Sequence, residues 1–216
     1  MVVAGIGVAV DRLGSSRETQ ASRPDLQRVL DSLVRGPVRL APGVTAYVSA
    51  PTGTWLGSAG VANVQTGEPM RPDARMRLES TAYDPQGPIA GPHAKGYNIA
   101  QGGKLTDATA WHAGKGADGA LVSNADDEAT FLKAMMDGTL GIRQQVLAFF
   151  GTGNEQGCPG SAYLGEGAGQ AYRTYAYYDH TGSRVAVLML NGFHESSSYV
   201  GEPRALLAVG RLFCSA

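Results

Sequence analysis

The sequence has no surplus of charge of either sign: 18 Lys and Arg stand against 19 Asp and Glu, a formal net charge of −1. No Lys/Arg cluster and no basic stripe interleaved with aromatics is present, which argues against a nucleic-acid partner. No apolar run approaches the roughly 20 residues of a membrane-crossing helix, so no membrane span is expected. The four histidines, His93, His112, His180 and His194, lack metal-ligand spacing, and neither a metal nor another cofactor is expected. Cysteine is scarce. Cys158 and Cys214 are the whole supply, and by themselves they read as two isolated thiols or one bond.

What is there fits one soluble globular domain: 216 residues, 43% hydrophobic and 17% charged. The N-terminal Val2-Val3-Ala4-Gly5-Ile6-Gly7-Val8-Ala9-Val10 is apolar but short, with no basic residue before it. It reads as the end of a clipped leader or as a first strand. The linker-like Ser15-Ser16-Arg17-Glu18-Thr19-Gln20-Ala21-Ser22 favours the leader, so residues 1–22 are expected to be a leader remnant or flexible terminus and 23–216 the domain.

Leu26, Val29, Leu30 and Leu33 recur at helical spacing in 24–35, with Pro24 early and Gly36 just past the end. Val44, Ala46 and Val48 alternate with polar neighbours, and Pro51-Thr52-Gly53 turns into a second strand through Trp55 to Val61, a hairpin. The Gly- and Pro-rich 85–119 predicts loop with one or two short strands. Ser123-Asn124-Ala125-Asp126 caps a helix expected to turn Phe131, Leu132, Met135 and Met136 inward and to stop at Gly138, and 142–150 predicts a short helix. The β-branched and tyrosine-rich 161–191 predicts three antiparallel strands, with Val185 to Leu190 apolar on both faces and therefore central. A last helix, about 202–213, carries Leu206, Leu207, Val209 and Leu212 toward the sheet.

Several of these segments carry a family likeness. Gly43-Val44-Thr45-Ala46-Tyr47-Val48, the turn Gly53-Thr54-Trp55, Gly60-Val61-Ala62-Asn63 and Met70-Arg71-Pro72-Asp73-Ala74-Arg75-Met76-Arg77 resemble the first two strands and nucleophile approach of serine DD-carboxypeptidases and class C β-lactamases. His93-Ala94-Lys95-Gly96-Tyr97, Gly116-Ala117-Asp118-Gly119-Ala120-Leu121-Val122-Ser123 and Gly169-Gln170-Ala171-Tyr172-Arg173-Thr174-Tyr175-Ala176 are similar to later parts of the same fold. The resemblance covers roughly residues 24–214 and rests on the order of the motifs. It implies an α+β fold, an α/β sandwich in which helices from both chain ends and one or two more flank an antiparallel sheet. It also implies a Cys158–Cys214 disulfide, as secreted members can have. With the leader remnant, that points to a secreted or extracytoplasmic protein, a cytoplasmic one staying open.

The acyl-serine machinery of that family is not legible. Ser80 stands at the nucleophile position in Arg77-Leu78-Glu79-Ser80-Thr81-Ala82-Tyr83, but a Ser-x-x-Lys nucleophile needs a lysine one helical turn on to take its proton. Tyr83 occupies that place, and the prolines of Asp84-Pro85-Gln86-Gly87-Pro88 deny the helix. In the family the nucleophile opens a helical domain that also holds a Tyr-x-Asn element. Here a dozen residues, 81–92, join Ser80 to His93, so that domain is expected to be absent at about 80–93. The third motif, Lys/His-Thr-Gly, is replaced by Gly165-Glu166-Gly167, while His180-Thr181-Gly182 spells it only inside a hairpin turn.

Loss of the helical domain would open the sheet edge near Glu166, to be closed by a homodimer or by 84–119 folding over it. A small molecule or peptide in the vacated cleft is expected to meet His93, His112, Tyr172, Arg173 and His194. The expected function is therefore a non-hydrolytic binding module. The other class is a repurposed isomerase, cyclase or non-acyl-serine hydrolase, with a desolvated Glu166 and Tyr83 or a histidine as acid and base and Ser80 as a degenerate nucleophile position. From the sequence a plain surface-strand role for Glu166 outweighs catalysis.

Overall fold

The structure is a computed structural model that describes residues 22–36, 39–78, 89, 92–110, 121–150, 162–194 and 201–215. Ser80, Tyr83, His112 and Cys158 lie outside these residues, as does the leader-like N-terminal run. Helix α1 (Pro24–Val34) begins with proline in its first turn, where the missing N–H costs nothing, and buries Leu26, Leu30 and Leu33. Each such leucine contributes about 1.5–3 kcal/mol by leaving water. Strands β1 (Gly43–Ala50) and β2 (Gly53–Asn63) form the expected hairpin, Val48 opposite Trp55. Short strands follow: β3 (Glu68–Pro69), β4 (Met76–Leu78), β5 (Tyr97–Ile99), β6 (Leu105–Asp107) and β7 (Leu121–Ser123). Helix α2 (Ala125–Met136) starts where Asn124 Oδ1 accepts the amides of Asp126 and Asp127 at 3.0 and 2.9 Å. Helix α3 (Arg143–Phe150), strands β8 (Ala162–Ala168), β9 (Arg173–Asp179), β10 (Val185–Leu190) and β11 (Gly192–His194), and helix α4 (Gly201–Cys214) complete the chain order.

The main sheet runs β3-β2-β1-β10-β9-β8, with β1–β2, β1–β10, β9–β10 and β8–β9 all antiparallel. All six residues of β10 are buried, as two-faced apolarity predicts for a central strand. On one face α1 and α4 cover Val44, Ala46, Tyr175, Tyr177 and Leu188; on the other α2 covers Tyr47, Tyr178, Val185, Val187 and Met189. The fold is α+β, helix layers on both sides of an antiparallel sheet. A second sheet, β11-β5-β6, stands at the end of the first, β11 and β5 parallel. No described helix is long and apolar enough to cross a membrane.

Two helical assignments differ from the periodicity. Phe131 is 40% exposed rather than inward, because the α2 stripe that meets the sheet runs through Ala125, Ala129, Leu132 and Met136. Leu207 is 59% exposed, since α4 packs through Ala205, Ala208, Val209 and Leu212. Both are large residues adjacent to the buried stripe, where composition alone does not tell edge from face.

Candidate functional site

Strand β8 is an edge of the main sheet, as expected, and Gly165-Glu166-Gly167 pairs with Ala176, Tyr175 and Thr174. Directly opposed residues of an antiparallel pair share a face. Glu166 therefore projects on the side of Tyr175, whose ring lies under α1 and α4. Its carboxylate accepts Arg173 Nη1 at 3.1 Å. The same nitrogen donates to the Tyr175 hydroxyl at 3.0 Å, and the guanidinium lies 5.0 Å from the centroid of the Phe193 ring. An arginine only 13% exposed in its side chain holds this carboxylate by charge and geometry together. Glu166 is thus one partner of an ion pair with Arg173.

His194 sits near this group but serves the scaffold. Its Nε2 donates to the Leu40 carbonyl at 3.1 Å. Burial lowers its pKa below the usual histidine value, the Leu40 carbonyl partly opposes this, and the charge of Arg173 adds to it. Tyr172, expected at the ligand, is 3% exposed and donates its hydroxyl to the Ala94 carbonyl at 2.9 Å, tying the start of β9 to the segment before β5. His180-Thr181-Gly182 is a turn: Asp179 Oδ1 accepts Thr181 N, Thr181 Oγ1 and Ser183 N, and Oδ2 accepts Ser183 Oγ. Burial pushes the Asp179 carboxyl up, but these hydrogen bonds outweigh it and hold it below the ordinary value.

His93 lies elsewhere. It forms an isolated parallel bridge with Arg75, locked by Ala94 N donating to the Arg75 carbonyl at 3.0 Å. Both residues line a cavity of about 320 Å³ together with Glu68, Arg71, Asp73 and Asn124, the rest of the wall being Ala62, Ala74 and Pro92. Because Glu68 belongs to β3 and Glu166 to β8, the two places occupy opposite edges of a six-strand sheet. Five spacings of about 4.8 Å make that about 24 Å. His93 is consequently not brought to Glu166.

Within the cavity, Arg71 and Asp73 form a two-point ion pair, Nε to Oδ1 at 2.9 Å and Nη2 to Oδ2 at 2.8 Å. The Arg71 guanidinium holds the Asp73 carboxyl below its usual range, and Glu68 reinforces the charge on Arg71 from a greater distance. Asn124 is committed to capping α2 and to Asp127, its Nδ2 donating at 2.9 Å. No described residue gives the Arg75 guanidinium an ion pair or hydrogen bond, and that side chain is exposed. Arg71, Asp73, Arg75, Glu68 and Asn124 were not among the expected ligand residues. The available signal was the dense charge of Arg71-Pro72-Asp73-Ala74-Arg75, which the family comparison used only as a positional marker.

Among the described residues a serine–lysine contact lies away from both places. Lys133 Nζ donates to Ser49 Oγ at 2.6 Å and to the Tyr47 hydroxyl at 3.2 Å. Ser49 is 5% exposed and Tyr47 7%. The group ties α2 to β1, with the lysine as donor.

No family model matches this chain, and no curated protein sequence does. Solved structures do. A D-stereospecific amidohydrolase from Streptomyces sp. is similar at 11% identity with a TM-score of 0.67, covering 91% of this chain and 100% of that one. D-amino acid amidase from Ochrobactrum anthropi SV3, solved with L-phenylalanine amide, is 14% identical with a TM-score of 0.65, covering 87% and 98%. D-alanine carboxypeptidase AmpC from Burkholderia cenocepacia is 13% identical with a TM-score of 0.59, covering 89% and 99%. At such identities the likeness lies in the fold alone, an α+β fold that this chain shares with these amidohydrolase, amidase and carboxypeptidase structures.

Proposed function

We propose that this protein uses a β-lactamase-type scaffold to bind a small polar molecule and does not form an acyl-serine. The observation that carries this reading is the wall of the 320 Å³ cavity, which among the described residues presents ionic side chains and no serine, threonine, cysteine or lysine. Such a wall selects a ligand by charge, and its described residues offer no nucleophile of the acyl-transfer kind. Tyr83 at the lysine position and Gly165-Glu166-Gly167 at the third motif support it, because the parts of an acyl-transfer site work as a unit. In this reading the helical domain has been lost in nature, and the ordinary loop chemistry of Asp84-Pro85-Gln86-Gly87-Pro88 marks the seam.

The test is intact mass after incubation with benzylpenicillin and with a fluorophosphonate probe. The protein mass is expected to be unchanged by either, and a stable adduct on Ser80 would overturn the reading. The same spectra address the proposed Cys158–Cys214 bond of an extracytoplasmic protein. Reduction should add the mass of two hydrogens, and no gain removes the bond.

We place a second copy of the chain along β8, the edge strand of the main sheet. Sedimentation equilibrium is expected to return a dimer. A monomer at every concentration up to the solubility limit disposes of the β8 interface.

A further inference from the structure

We propose that the cavity between β3 and His93 is a carboxylate site, with the Arg75 guanidinium, which stands beside His93, gripping the carboxylate of a small organic acid. This rests on the binding reading above and names the ligand class. The charges within the wall are unevenly matched. Both of its carboxylates attend one arginine: Asp73 holds Arg71 at two points and Glu68 adds to the field on the same guanidinium. Arg75 is left without a counter-charge or hydrogen-bond acceptor among the described residues, yet it lines the same cavity. A guanidinium presents a planar fork of donors that matches a carboxylate.

The backbone fixes the place of Arg75 on this wall. Residues paired across a β-bridge project to one side, so Arg75 and His93 stand side by side on the cavity wall. Because Ala94 N is bonded to the Arg75 carbonyl, the register of the two is fixed before any ligand arrives. That spares the ligand the cost of ordering the backbone between them.

The remaining wall selects among anions. Glu68 and Asp73 repel a second negative charge, and the first-turn acids Asp126 and Asp127 of α2 lie just beyond Asn124. A phosphate dianion or a dicarboxylate would meet these groups, whereas a single carboxylate bound at Arg75 need not. Ala62, Ala74 and Pro92 supply an apolar surface for a short hydrocarbon body. At about 30 Å³ per water-sized group, a cavity of 320 Å³ takes a ligand on the order of ten non-hydrogen atoms.

The site is probed by titrating the whole protein with acetate, benzoate and N-acetylglycine, and with their amides acetamide, benzamide and N-acetylglycinamide, by calorimetry and amide chemical shifts. At least one acid is expected to saturate, and its amide to bind about tenfold more weakly or not at all. Arg75→Met is expected to weaken the acid by at least about tenfold while leaving the thermal midpoint of the free protein unchanged. Arg35→Met, just past α1, should leave binding as it is, since Arg35 is a 76% exposed side chain paired with Asp31. Equal binding of acid and amide, full affinity in Arg75→Met, or no saturable binding of any of the three acids each overturns the carboxylate site. A covalent penicillin adduct with the acid titration intact overturns the non-hydrolytic reading instead, so the two failures are separable.

Discussion

Asn191→Leu is expected to lower the unfolding free energy by about 3 kcal/mol, from a buried and a part-buried backbone group losing their partner at about 1–3 kcal/mol each. Asn191 is fully buried at the end of β10. Its Oδ1 accepts Gly43 N at 2.7 Å and its Nδ2 donates to the Val61 carbonyl at 3.1 Å. Its main chain continues the link, with Asn191 N donating to the Gly43 carbonyl and Tyr97 N donating to the Asn191 carbonyl, both at 3.1 Å. One side chain thereby joins the start of β1 to β2 where no ladder bond is available. Leucine fills a similar volume but offers neither group a partner, so polar satisfaction is lost while burial is kept. Urea unfolding should show a lower midpoint at unchanged slope, and a loss below about 1 kcal/mol would place those backbone groups in contact with water.

Gly60→Ala should be at least as costly, for a steric reason. Gly60 lies within β2 at φ +78°, a left-handed conformation that costs an L-residue about 1–2 kcal/mol. A Cβ there would stand 2.1 Å from the Pro42 carbonyl oxygen and 3.0 Å from Gly43 Cα. Those atoms cannot simply yield, because Val61 N donates to the Pro42 carbonyl and Met70 N to the Gly60 carbonyl, each at 3.0 Å. Gly67→Ala is the matched control. It has φ +72° but open space where the Cβ would go, so it should lose only the dihedral cost of about 1 kcal/mol. If the two variants are equally stable, the close approach at Gly60 is relieved by backbone movement and the larger figure is wrong.

Much of this architecture was legible because it is local. Leu26, Leu30 and Leu33 set the buried stripe of α1, Asn124 capped α2 where expected, and Val185 to Leu190 formed a central strand. The turn reading of His180-Thr181-Gly182 held for the same reason: Asp179 and the groups that donate to it lie within five residues of one another. Phe131 and Leu207 were misplaced because each borders a stripe whose limit is drawn by the neighbouring element. The ion pair of Glu166 with Arg173 was hidden in another way, since a seven-residue separation becomes proximity only when β8 and β9 pair at that register.

The amino-acid order was enough for the elements and for the absence of a lysine three residues after Ser80, both of which depend on near neighbours. Which residues share a site was decided by the strand order β3-β2-β1-β10-β9-β8. That order puts His93 beside Arg75, Arg71 and Asp73 at one edge and Glu166 at the other. Strand order arises from pairing between segments far apart in the chain, so no local pattern carries it.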